Sequence, residues 1–112
     1  MAKDYKAYIS HILESITLIE QYTENISFEE FENDRKTIDA VIRNFEIIGE
    51  ASNKLPEEFR KKYPEIPWRS IIGLRNVLIH DYLGVDIKAV WGNLKQELPQ
   101  LKKQMKAILE SK

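Results

Sequence analysis

Pro67-Trp68-Arg69-Ser70-Ile71-Ile72-Gly73-Leu74-Arg75-Asn76-Val77-Leu78-Ile79-His80-Asp81-Tyr82 has the periodicity of a helix. Pro67 suits the first helical position, where a missing N–H costs nothing, and Ile71, Leu74 and Leu78 then recur three and four apart. At about 100° per residue, Ile71, Ile72, Leu74, Val77, Leu78 and Ile79 span a broad apolar arc. Gly73, Asn76 and His80 form a narrow strip on the opposite side. Such an arc must be covered by other elements. Arg75 projects into its middle, where a guanidinium is costly unless an anionic group meets it, and is therefore a candidate site residue.

The flanking segments supply the cover. Immediately upstream, Tyr63-Pro64-Glu65-Ile66-Pro67 is expected to be extended, because residues preceding proline avoid helical dihedrals. Before it, Pro56 opens a short helix carrying Arg60, Lys61 and Lys62. A long helix capped by Asn33 or Asp34 is expected to reach about Asn53, with Ile38, Val41, Ile42, Phe45, Ile48 and Ser52 on its core face. On the same helix Asp39, Arg43, Glu46, Glu50 and Asn53 fall within about 80° of one another and make one polar stripe. Ser27 and Glu30 form a capping box for another short helix, with Ile26 placed to staple onto Phe31. Residues 4 to 24 put Tyr5, Ile9, Ile12, Leu13, Ile16 and Ile19 on one stripe of a first long helix that ends near Asn25. Downstream, Gly84 breaks the chain and Asp86 caps a final helix with core positions Ile87, Val90, Trp91, Leu94, Leu98, Leu101, Met105 and Ile108. Pro99 should kink or divide it.

These patterns predict an all-α bundle of about four to five helices with short capped connections, in one domain covering residues 1–112. Seventeen basic against eighteen acidic side chains give a net charge of −1, which argues against whole-surface nucleic-acid binding but leaves room for a local basic patch. The chain has no cysteine, so disulfides and zinc–thiolate sites are excluded. No apolar signal core opens the chain, and no run approaches the roughly 18 apolar residues of a membrane span, so a cytoplasmic protein with no membrane partner is expected.

For chemistry, the sequence offers an Arg, an Asn, a His and a Tyr within eight residues, and a stripe of carboxylates on another helix. A zinc site on a helix needs a second histidine four residues away, and the only other one is His11. There is no Gly-rich phosphate loop and no Ser nucleophile elbow. An Arg with a His and no metal box suits metal-free phosphoryl chemistry, since His moves a proton near neutral pH and Arg stabilises charge on phosphate oxygens. On spacing alone, however, an Arg five residues before a His is more often incidental. The two lie about 140° apart on the wheel, so they converge only if the helix unwinds near His80 or two copies share a groove. The stripe from Asp39 to Asn53 is by default a solvated face. Glu46 and Glu50, four apart, repel each other modestly, and a cation such as Arg43 or Arg75 would remove that cost.

Arg75-Asn76-Val77-Leu78-Ile79-His80-Asp81-Tyr82 matches the Arg-x4-His-x-Tyr signature of HepT-like toxins, a branch of the HEPN ribonucleases. Phe45 to Ala51, Ile66-Pro67-Trp68, Val85-Asp86 and Val90-Trp91 resemble that family too, so the similarity covers most of the chain from about residue 35 onward. The resemblance implies a HEPN-type bundle, a homodimer whose Arg/His motifs face one cleft, and metal-independent RNA cleavage with no cofactor. It assigns His80 as acid/base, Arg75 as stabiliser of the transition-state anion, Asn76 as a positioning group, and Glu46 and Glu50 as support for Arg75. It implies a minimal nucleotidyltransferase antitoxin of the MntA type, with Tyr82 as the acceptor of AMP, and is compatible with higher assembly with that partner. Gly73, beside His80, would let another backbone or an RNA strand approach closely, and Gly73, Asn76 and His80 are expected to line a two-fold groove. Arg60, Lys61 and Lys62 are candidates for attracting RNA, against the default of a solvated charged turn. The alternative from another class is a non-catalytic helical adaptor that binds a nucleotidyltransferase.

Overall fold

The computed structural model describes residues 5–73 and 86–111. Among these residues every regular element is a helix: α1 Tyr5–Tyr22, α2 Phe28–Glu32, α3 Arg35–Lys54, α4 Glu57–Arg60, α5 at residues 68–73, α6 Ile87–Gln96 and α7 Leu98–Glu110. The all-α bundle is as expected. The segments outnumber four to five because the short helices stand separately and Pro99, at the start of α7, divides the last helix after Glu97.

The long helices bury the faces that their periodicity marks. On α1, Ile9, Ile12, Ile16 and Ile19 are completely buried, and α1 packs against α3 and α7. Fully burying one such side chain contributes roughly 1.5–3 kcal/mol, so this stripe alone outweighs any cap in the chain. At its end, the Thr23 hydroxyl donates to the Ile19 carbonyl at 2.8 Å, and Asn25 follows with φ of 61°. That left-handed turn at Asn25, a residue that tolerates it, ends the regular helix at Tyr22, two residues before the expected 24.

Caps set the next starts. The Glu30 N–H donates to the Ser27 hydroxyl at 3.1 Å, and the Ser27 N–H donates to the Glu30 carboxylate at 2.9 Å, the reciprocal box expected for α2. The buried Phe31 packs its ring on Trp91 of α6 with centroids 5.0 Å apart, and Phe28 meets the same indole edge-on at 5.9 Å. Asp34, rather than Asn33, caps α3 and accepts from the N–H and hydroxyl of Thr37 at 3.2 and 2.6 Å. Ile38, Val41, Ile42, Phe45, Ile48 and Ser52 are buried as expected, and Asn44 and Gly49 join them. Asn44 satisfies its amide locally by donating to the Ala40 carbonyl at 2.9 Å.

Residues 63–67 correct an expectation. They form a hydrogen-bonded turn rather than an extended link, with the Ile66 N–H donating to the Tyr63 carbonyl at 3.1 Å. Pro64 occupies the second turn position, which its ring favours, and the Trp68 indole N–H donates to the same carbonyl at 3.1 Å. Pro67 precedes the helical residues by one position, its carbonyl accepting from the Ile71 N–H at 3.0 Å. This compact corner buries Ile66 and Trp68 and brings Ser70 and Ile71 of α5 to a cleft shared with Phe45 of α3 and Leu101 of α7. No described helix is long and apolar enough to cross a membrane.

Candidate functional site

The described part of the candidate site is the outer side of α3. Of its polar stripe, Asp39, Arg43 and Asn53 are exposed, whereas Glu46 and Glu50 are half-buried rather than fully solvated. Arg43 reaches Glu46 at 3.7 Å, and the Glu46 side chain is 21% exposed against 63% for Arg43. A carboxylate so placed has lost part of its water without gaining a close ion pair, which suits it to receive a further cation. Glu50 sits one turn later on the same side. Arg75, Asn76, His80 and Tyr82, on which the catalytic and modification assignments fall, lie outside the described residues. Gly73, the last described residue of α5, has open space where a Cβ would stand.

Among the described residues no group of three or more His, Cys, Asp or Glu side chains is placed to hold a metal ion. His11 lies exposed on α1. The basic segment of α4 divides: Lys61 pairs with Glu57 at 3.4 Å, both side chains about three-quarters exposed, while the Arg60 Nε is buried without a partner. The neighbouring Phe59 ring meets Tyr5 edge-on and Tyr63 at a tilt, with centroids 5.3 Å apart in both pairs. Arg60 is thus partly structural, and only Lys61 and Lys62 are fully presented to solvent.

A cleft of about 460 Å³ opens where α5 crosses α3 and the α6–α7 junction. Its floor is Phe45, Ile48, Leu98 and Leu101. Ser70 and Ile71 of α5 form one wall, and Asn93, Glu97, Gln100 and Gln104 line the other. No reading of the sequence singled out these polar residues. Their signal is weak but present: Asn93, Glu97, Gln100 and Gln104 each precede a core position of α6 or α7 by one residue, and so border the apolar stripe.

A family model described as ribonuclease HepT-like matches residues 12–108, nearly all of the chain. A protein of Thermococcus cleftensis named "Probable ribonuclease HepT" is 48% identical over 102 residues, covering 91% of this chain and 93% of its own length. A protein of Methanocaldococcus jannaschii named "Gamma-glutamylcyclotransferase and putative RNase" is 47% identical over 110 residues, 98% of this chain, and this chain spans 50% of that longer protein. No solved structure gives a significant match. An all-α bundle with a carboxylate-lined helix, matched along its length in this way, belongs to the HepT-like ribonuclease family.

Proposed function

We propose that the chain is a metal-independent endoribonuclease toxin of a toxin–antitoxin module. The observation that carries the proposal is the family match across residues 12–108, a range that contains the whole of Arg75 to Tyr82. In the reaction, His80 takes the proton of an RNA 2′-OH as that oxygen bonds to phosphorus. The bond to the 5′-oxygen breaks, that oxygen is protonated, and a 2′,3′-cyclic phosphate and a 5′-OH remain. Arg75 stabilises the charge that grows on the phosphate oxygens, and Asn76 positions the phosphate or the imidazole. Glu46 and Glu50, half-buried on α3, support the site by orienting Arg75, since a carboxylate in direct contact with RNA phosphate would repel it. The partner is a nucleotidyltransferase of the MntA type that transfers AMP to Tyr82. Each AMP adds a phosphodiester charge and bulk beside the motif, which opposes entry of an anionic backbone and competes for Arg75.

Expression of the chain alone, and with its nucleotidyltransferase partner, followed by RNA end mapping, tests this. A folded His80→Ala protein should neither cut RNA nor arrest growth, and wild-type ends should carry cyclic phosphate. Persistent cleavage by His80→Ala, or a magnesium requirement, refutes the assignment, and a wild-type chain that binds the partner without cutting RNA is the helical adaptor instead. Tyr82→Phe should remain toxic and unmodified beside the active partner. AMP found instead on Tyr5, Tyr8, Tyr22 or Tyr63, or equal neutralisation of Tyr82→Phe, refutes the switch.

A further inference from the structure

We propose that the cleft between α3, α5 and the α6–α7 junction is a subsite for one unstacked RNA base, selective for bases that carry an exocyclic amino group. The inference rests on the ribonuclease proposal for its macromolecular substrate and on the cleft alone for its chemistry. A volume of about 460 Å³ lies in the range of small-molecule sites. The floor is apolar and firmly packed: Phe45, Ile48, Leu98 and Leu101 are all less than a tenth exposed. Such a floor takes a planar ring and gives nothing to a phosphate.

The rim decides the ring. Asn93 donates one amide hydrogen to the Ala89 carbonyl at 3.1 Å, and Gln104 donates one to the Glu65 carbonyl at 3.3 Å. Both side chains are thereby held in place, and their amide oxygens keep their accepting capacity. The carboxylates of Glu65 and Glu97 add further acceptors, and none of the described lining residues is Lys or Arg. With two carboxylates the rim holds more acceptors than donors, and with no Lys or Arg among its described residues it repels phosphate and favours a ligand edge rich in donors. Among the bases, adenine, cytosine and guanine present an exocyclic amine, whereas uracil presents two carbonyls. The place also fits. Ser70 and Ile71 line the cleft, and Arg75 follows Ile71 by four residues, a length of chain that spans at most about 14 Å even fully extended.

Titration of isotope-labelled protein with millimolar adenosine, cytidine, guanosine or uridine, followed by NMR, tests the subsite without any cleavage. The side-chain amide signals of Asn93 and Gln104 should shift with the three amino-bearing nucleosides and much less with uridine. Gln104→Leu should weaken that binding about tenfold, the loss of one hydrogen bond to a rigid partner, and should flatten the base preference at mapped cut sites. Asn93→Ala, on the other helix, provides the same readout should Gln104→Leu fold poorly. Nucleoside binding in a chain that cuts no RNA would leave the base site standing and remove the ribonuclease proposal. Cleavage without nucleoside shifts, or equal shifts with uridine, overturns the subsite. A Gln104→Trp substitution that alters oligomeric state while nucleosides have no effect makes this face a contact between copies and also overturns it.

Discussion

Single polar groups in this chain are satisfied locally or left to something else. Asp34 is the first kind. The Thr37 hydroxyl, and then the Thr37 N–H, donate to its carboxylate and hold it below its ordinary pKa of 3.8, although the group is fully exposed. A lowered folded pKa means that the unfolded chain takes up the proton more readily. The charge on Asp34 therefore contributes stability that is fully present above pH 3.8 and is lost as pH falls through the folded value. The melting temperatures of wild type and Asp34→Asn, whose amide can still cap but cannot ionise, should differ by a constant amount at neutral pH. The gap should close on acidification below the ordinary carboxylate pKa. A gap that widens in acid would show that the carboxylate does not act as a charged cap. Ser52 and Arg60 are the second kind, each with a buried side-chain atom and no partner. Ser52 was legible as a core position only because it falls in register with Ile48 and Phe45, and nothing in that register reveals that its hydroxyl goes unpaired.

Helices were legible where the determinants are local. Ser27 with Glu30, Asp34 with Thr37, and Asp86, whose carboxylate accepts from the N–H groups of Lys88 and Ala89 at 3.0 and 3.3 Å, all act within three residues of chain. The Pro99 division is equally local. The link from 63 to 67 was misread because proline disfavours helix at the preceding residue but equally favours the second position of a turn, and the choice falls to a distant demand. That demand is burial of Ile66 and Trp68, whose indole closes on the Tyr63 carbonyl. Packing likewise overrode the simple stripe on α3, where Asn44 and Gly49 are covered because helices press on it from more than one side. Glu46 and Glu50 are half-buried, whereas a wheel drawn for an isolated helix gives them full solvent. Of the cleft only the polar border of the α6 and α7 stripes was legible, since its walls come from separate segments brought together by tertiary packing.

At the scale of the molecule, the bundle is elongated, 47 × 29 × 22 Å, and its core runs along α1, α3 and α7. Catalysis by Arg75 and His80 poses a problem that one such bundle does not solve by helical geometry, because residues five apart on a straight helix point about 140° from each other. We propose that two copies related by a two-fold axis solve it, with Arg75 of one copy acting beside His80 of the other. The proposed enzyme is then active only as a dimer, and its site is shared between chains. Arg75→Ala and His80→Ala proteins should each be inactive alone. Mixed and allowed to exchange, they should recover about a quarter of wild-type cleavage, since half of the dimers are then heterodimers with one intact site of two. Specific activity of the wild type should also fall on dilution once dimers dissociate, and mass measurement in solution at the same concentrations should track the loss. No recovery in the mixture, or full activity in a protein shown to be monomeric at nanomolar concentration, would mean that each chain assembles its own site. The helix that the sequence predicts across Arg75 and His80 would then have to unwind between them.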